Sequence, residues 1–244
     1  IGDAFEKSFG WSSPVGAPLK HMRIDVATSD WLAATSPSIH HRVFTGSVAG
    51  GRAISRTIGE RAQRAGLRSP FIQCSLELGG SDAAYVASDM ASHAAKLHDA
   101  AGFIGSIGRL HNSGQSCCAV KRCVVHERVS DELVGALSAV FARQVLGDPA
   151  DSCTTIGPLY GGAAACETLF GMVLDAVNRG ARVRVGAEEL PPALPEAALR
   201  AKLIHTERAA HFFRPTLLVD AAPTMRCMRE ETFGPLLPVC VIRG

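Results

Sequence analysis

Arg122-Cys123-Val124-Val125-His126 is followed directly by Glu127-Arg128-Val129-Ser130-Asp131-Glu132-Leu133. The first run is β-branched and apolar and bounded by charge, as in a short buried strand. In the second, Ser130 reads as an N-cap, with Asp131 and Glu132 in the first turn, where the positive end of the helix dipole favours acid. This predicts a strand over 122–126 and a helix that runs to about Val145. The same alternation extends both ways. Upstream, Arg42-Val43-Phe44-Thr45 reads as a short buried strand ended by Gly46-Ser47, with a helix over about Ala49 to Arg64. Ser75 to Leu78 and Ala83 to Ala87 read as further strands, and Met90 to Gly108 as one long helix. Downstream, a helix over about Ala164 to Arg179 stops at Gly180, a natural C-terminal cap, ahead of a strand Arg182 to Val185. Strands alternating with helices imply an α/β fold with a largely parallel sheet. Pro191 to His211, with three prolines, reads as a surface insertion, and Asp3 to Phe9 as a short helix.

Composition sets the class. Hydrophobic residues make up 47% of the 244 residues and charged residues 20%, a balance that folds into a core. The net charge of +2 gives no case for nucleic acid or a membrane surface as partner. No apolar run reaches the length of a bilayer span and no leader pattern opens the chain. The chain starts at Ile1 and stops at Gly244, just after an apolar run Leu236 to Ile242, so both ends read as cut. The eight cysteines include no C-x-x-C pair, which argues against a zinc cluster, and the chain is large enough to do without a disulfide framework. Reduced thiols in a cytosol-like compartment are the simplest expectation, most of them acting as small buried apolar residues.

Four segments carry chemistry. Phe44-Thr45-Gly46-Ser47 places glycine at a strand-to-helix turn, where free N–H groups can meet a phosphate; an ordinary corner has the same pattern. Leu76-Glu77-Leu78-Gly79-Gly80 places a carboxylate between two leucines at a strand end. Desolvation there would suit Glu77 to act as a base near neutral pH, whereas a glutamate facing solvent would not. Asn112-Ser113-Gly114-Gln115-Ser116-Cys117 offers a thiol beside a glycine that permits close approach, with main-chain N–H groups able to stabilise an oxyanion. The other reading is a buried structural thiol, which is the expectation for the other seven cysteines. Glu230-Glu231-Thr232-Phe233-Gly234-Pro235 combines a carboxylate suited to ribose hydroxyls with an aromatic ring, or is simply a turn that ends a helix.

In this order, FTGS, LELGG, NSGQSC and EETFGP resemble the aldehyde dehydrogenase superfamily, over about Leu32 to Val239. Ile156-Gly157-Pro158-Leu159 and Phe213-Arg214-Pro215-Thr216 add to the resemblance, and LELGGSD with Ala119-Val120-Lys121-Arg122 is most similar to succinate-semialdehyde dehydrogenases. The resemblance implies the C-terminal part of a Rossmann-type cofactor domain over 1–78, then an α/β catalytic domain over 79–244. It implies Cys117 as the nucleophile that forms a thiohemiacetal and then a thioester, with Glu77 activating the hydrolytic water. Gly46, Ser47, Leu78, Gly79, Glu231 and Phe233 are implied to hold NAD or NADP. No metal is implied. The expected partners are a small-molecule aldehyde and, in a full-length form, further copies in a cytoplasmic homodimer or homotetramer.

Departures accompany the resemblance. The family's oxyanion asparagine and adenosine-ribose lysine have no counterpart here, and Ala49-Gly50-Gly51 replaces a more polar pattern. Ala65 to Ser75 and Pro191 to His211 run longer than usual. His111 stands where some relatives carry a carboxylate-binding arginine, with Arg109 and Lys121 nearby as expected solvated or structural cations. Two alternatives follow: an inactive chain with a binding or structural role, and an acylating or thioesterase-like activity of Cys117, against which Glu77 argues.

Overall fold

The computed structural model describes residues 23–64, 66, 70–207 and 209–243. The expected helix over Asp3 to Phe9 lies outside the described residues. Two compact units divide the chain, Ile1–Leu78 and Gly79–Gly244.

In the first unit, α1 (Val26–Thr35) precedes β1 (His41–Thr45), α2 (Val48–Ala62) and β2 (Gln73–Glu77). The two strands pair in parallel from His41 opposite Gln73 to Thr45 opposite Glu77, with α2 as the crossover. Arg61 of α2 is buried and donates to Ala33 O of α1 at 2.8 Å. Arg42 of β1 pairs with Asp30 of α1 at 2.9 Å. The expectation that β1 is buried is not met: its residues alternate between exposed and half-buried, and Val43 is 68% exposed within this chain. Among the described residues β2 is the one strand paired with β1, too little to cover both of its faces.

The second unit is a three-layer sandwich. Its strands are β3 (Asp82–Val86), β4 (Val120–His126), β5 (Arg182–Val185), β6 (Glu188–Glu189), β9 (Thr216–Val219) and β10 (Leu236–Ile242). They lie in the order β3-β4-β10-β9-β5-β6. β3, β4, β10 and β9 are mutually parallel, whereas β5 runs antiparallel to β9 and β6 antiparallel to β5. The sheet is thus mixed, with an antiparallel edge on a parallel core. Helices cover both faces. Leu97 of α3 (Ala94–Gly102) and Leu133 and Leu137 of α4 (Glu127–Ala142) pack with Cys123, Val125, Leu217, Leu237 and Val239. Leu169, Phe170 and Val173 of α5 (Gly162–Asn178) pack with Val183, Leu218, Leu236 and Cys240. Alternate residues of β9 and β10 therefore feed opposite cores, as the two-residue strand period requires.

Helix boundaries differ from expectation in instructive ways. α4 begins four residues early: the His126 side chain accepts from Arg128 N and caps it, while Ser130 sits inside the helix and donates to Glu127 O. A serine that finds an acceptor one turn back needs no helix end. The long helix expected over Met90 to Gly108 is broken into a tight turn at Ser88–Ser92, α3, and a π-helical stretch Phe103–Leu110. The Pro191 to His211 insertion is more ordered than expected. It holds α6 (Glu196–Leu203), whose Leu199 and Leu203 are buried, and a hairpin of β7 (Ile204–Glu207) with β8 (Ala210–Phe213). α5 does end at Gly180, which takes a φ of +96°. Among the described residues, no helix is long and apolar enough to cross a membrane.

Candidate active site

The loop between the π-helical stretch and β4 bears Cys117. Its backbone is left-handed at three successive residues: Asn112 (φ 51°), Ser113 (φ 56°) and Gly114 (φ 75°). Two of these are not glycine, so surrounding bonds must hold them there. Ser113 Oγ donates to Gly157 O at 3.1 Å and accepts from Gly157 N at 2.9 Å. The Asn112 and Gln115 side chains each donate to the other's carbonyl, and Gln115 Oε1 accepts from Tyr160 N at 2.8 Å. The Ile156-to-Leu159 motif thus serves as the dock for the thiol loop.

Two cations complete the frame, and neither is solvated. Arg109 is fully buried. It donates to Gly114 O at 2.6 Å, Val120 O at 2.9 Å, Thr232 O at 2.9 Å, Thr232 Oγ1 at 3.2 Å and Gly234 O. Burial pushes its guanidinium down to about 10, with the charge of Glu231 pulling the other way. Lys121, 1% exposed, donates to Ser116 O and, at 3.1 Å, to Cys117 O, and lies 3.3 Å from Glu231 Oε1. Its ammonium also lies 5.9 Å from the centre of the Phe233 ring.

Glu231 accepts from Gly80 N at 3.2 Å. A methyl group at Gly79 would collide with the Glu231 carboxylate, and one at Gly80 would collide with the Cys117 carbonyl oxygen. The glycine pair is therefore required by close approach. Gly79, Cys117, Glu231 and Phe233 come together in the second unit, around Lys121. The other site residues lie in the first unit. Gly46 N donates to Glu77 O at 3.0 Å, Ser47 Oγ caps α2 by accepting from Gly50 N at 3.1 Å, and Leu78 packs on Gly51. Glu77 is exposed within this chain, not desolvated by its leucines. Successive strand side chains point to opposite faces, so Leu76 and Leu78 cannot wall in the residue between them.

Residues 27–243 match the sequence model of the aldehyde dehydrogenase family. The chain belongs to that family. It is 34% identical over 209 residues to a succinate-semialdehyde dehydrogenase [NADP(+)] of Deinococcus radiodurans, covering 85% of this chain and 37% of that protein. An aldehyde dehydrogenase of Paenarthrobacter nicotinovorans is also 34% identical, over 79% of this chain and 35% of its own. Among solved structures, succinate-semialdehyde dehydrogenase from Burkholderia pseudomallei superposes with a TM-score of 0.72 at 28% identity, over 91% of this chain and 40% of that one. Lactaldehyde dehydrogenase from Escherichia coli superposes with a TM-score of 0.69 at 32% identity, over 88% and 39%. The chain spans well under half the length of these relatives.

Within this aldehyde dehydrogenase chain the thiols fall into two groups. Cys123, Cys166, Cys227 and Cys240 are buried, whereas Cys74, Cys117, Cys118 and Cys153 are exposed. Half of the cysteines thus depart from the expected apolar core role or, for Cys117, stand apart from it by design. Burial pushes the Cys123 thiol up to about 12, and Cys166 and Cys227 up to about 11. Cys118 lies 3.2 Å from Ser116 Oγ, and that hydrogen bond holds its thiol below the ordinary value. Among the described residues no cluster of His, Cys, Asp and Glu could hold a metal ion.

Sequence reasoning missed the burial of Arg109 and Lys121. Signals were present: Lys121 occupies the same strand face as Cys123 and Val125, and Arg109 sits among Ile104, Gly105 and Leu110. A cation is buried in an apolar row where most of its donors find acceptors: both terminal nitrogens of Arg109 do, and only its Nε has no partner among the described residues.

Proposed function

We propose that this chain carries the thiol and base of an NAD(P)-dependent aldehyde dehydrogenase that oxidises succinic semialdehyde to the carboxylic acid. The observation that carries the reading is the exposed Cys117 thiol on a braced, left-handed loop that shares Lys121 with Glu231. Residues 79–244 are read as the catalytic part and 1–78 as part of the dinucleotide-binding domain. The substrate and the preference for NADP rest on the succinate-semialdehyde relatives.

The residues fit a dinucleotide. Glu231 is partly exposed, and the missing side chain at Gly79 leaves its carboxylate room to accept from ribose hydroxyls. Phe233 presents a half-exposed ring for a flat ligand, and the first turn of α2, following Gly46 and Ser47, carries no acidic residue to repel phosphate. When bound, the nicotinamide supplies the hydride acceptor.

The Cys117 Sγ adds to the aldehyde carbon as thiolate and forms the thiohemiacetal. Main-chain N–H groups of the loop would serve to stabilise the developing oxyanion. Glu77 takes a proton from the water that attacks the later thioester, so the acid leaves and the thiolate returns. The base role of Glu77 rests on its place in the LELGG motif and not on its surroundings in this chain, where it is exposed.

The test is NADP reduction with succinic semialdehyde by the protein that contains this chain, beside its Cys117→Ala variant. Loss of at least about a thousandfold in the variant supports the reading. Equal rates overturn it, and absence of NAD(P) binding by calorimetry in the parent points instead to a non-catalytic role. A soluble cytoplasmic homodimer or homotetramer is the assembly proposed with it.

A further inference from the structure

We infer that Lys121 is a positioning residue that sets the main-chain geometry of Cys117 from the state of Glu231. The inference rests on the proposed roles of Cys117 as nucleophile and Glu231 as ribose ligand, and goes beyond them by naming the link between the two.

Lys121 stands on β4, the strand between β3 and β10, in the face row that continues with Cys123 and Val125. An apolar residue would be the cheaper occupant of that row, because burying an ammonium is costly unless every donor is used. Here the ammonium donates to Ser116 O and, at 3.1 Å, to Cys117 O, and forms an ion pair with Glu231 Oε1 at 3.3 Å. Two of these three partners are the carbonyls on either side of the Cys117 N–Cα–C unit. Holding both fixes the peptide planes that flank the thiol. The third partner is the ion-paired carboxylate, which also accepts from Gly80 N at 3.2 Å. Gly80 in turn leaves room for the Cys117 carbonyl oxygen, which a methyl group would displace. Two independent routes therefore join Glu231 to Cys117, an ammonium and a glycine backbone.

The chemistry has a direction. Lys121 divides its charge between two carbonyls and one carboxylate. When Glu231 accepts from ligand hydroxyls, its hold on the ammonium weakens, and Nζ tightens on Ser116 O and Cys117 O. Occupation of the ribose subsite is thereby transmitted to the nucleophile as a change in main-chain order. Arg109, by contrast, has main-chain carbonyls and the Thr232 hydroxyl as its acceptors among the described residues.

The experiment measures iodoacetamide labelling of Cys117 by peptide mass spectrometry, with and without NADP, in the parent protein and in Lys121→Met, Glu231→Gln and the double variant. Lys121→Met keeps the aliphatic stem and removes the charge. The expected result is a change of about tenfold in the Cys117 labelling rate in Lys121→Met, the scale of one charge-assisted hydrogen bond. NADP should no longer alter that rate in this variant. Glu231→Gln should change labelling in the parent background and have no further effect in Lys121→Met. Labelling within twofold of the parent in Lys121→Met, or effects that multiply in the double variant, would overturn the inference. If Lys121→Met does not fold, Glu231→Gln decides alone: an unchanged Cys117 labelling rate overturns it. A packing role would leave these rates unmoved, since methionine preserves the stem. Labelling does not depend on turnover, so failure here is distinct from failure of the catalytic reading, which the Cys117→Ala assay reports.

Discussion

Arg109 and Lys121 flank the same loop, one before the thiol and one after it, and they are buried for different reasons. Arg109 sits in the last turn of the π-helical stretch and gathers carbonyls from three separate segments, at Gly114, Val120 and Thr232–Gly234. Its planar fork satisfies several fixed acceptors at once, which a lysine could not do. Lys121 gathers two neighbouring carbonyls and a half-exposed carboxylate. The first cation holds architecture and the second holds the main chain on either side of Cys117. The difference teaches that proximity to a nucleophile does not define a role; the identity of the acceptors does.

The comparison breaks if the two cations prove equally important to stability. Arg109→Met strands buried carbonyls in the core and is expected to cost about 3–5 kcal/mol in urea unfolding. Lys121→Met, beside an exposed thiol that admits water, is expected to cost no more than about 1–2 kcal/mol. Equal losses would remove the distinction.

The thiols on the two sides of β4 sharpen it. The folded-state value of Cys123 lies above its unfolded value of 9.0, so its contribution is present below pH 9 and lost as pH rises toward about 12. Stability should fall by about 1.4 kcal/mol per pH unit in that window from Cys123 alone. Native-state alkylation at pH 8 should modify Cys117 and Cys118 and spare Cys123. Modification of Cys123 at the same rate would show the core layer to be open.

Glycine replacements separate crowding from backbone strain. Gly114→Ala meets a positive φ, the Gly234 carbonyl and the Arg109 guanidinium, and should cost about 2–4 kcal/mol. Gly180→Ala also meets a positive φ but has open space around it, so about 1 kcal/mol is expected. If the two cost the same, crowding beneath the thiol loop is not what fixes glycine there.

Much of this was legible in the residues. β5 and β10 lie where the runs Arg182 to Val185 and Leu236 to Ile242 place them, because apolar strands bounded by charge and glycine leave few other options. The α/β class followed from strands alternating with helices, and the family from the order of four short motifs. The antiparallel edge was not legible, since strand direction is set by tertiary pairing and not by local pattern. Ser130 misled because a cap residue and a helical serine bonded one turn back have the same identity. The exposure of Glu77 and the burial of Lys121 share one cause. Each depends on which strand face the residue occupies, and a one-residue change of phase reverses the answer.

The π-helical stretch Phe103–Leu110 makes the spacing toward Cys117 a fixed dimension of the molecule. A wider turn absorbs residue count that an α-helix would convert to rotation. Removing one residue there would swing the following side chains by about 100° around the helix axis. Arg109 would then leave the carbonyls it now gathers, and the loop beyond it would lose its anchor. Substitutions in this stretch are tuned by volume, whereas insertions and deletions act as a change of gear.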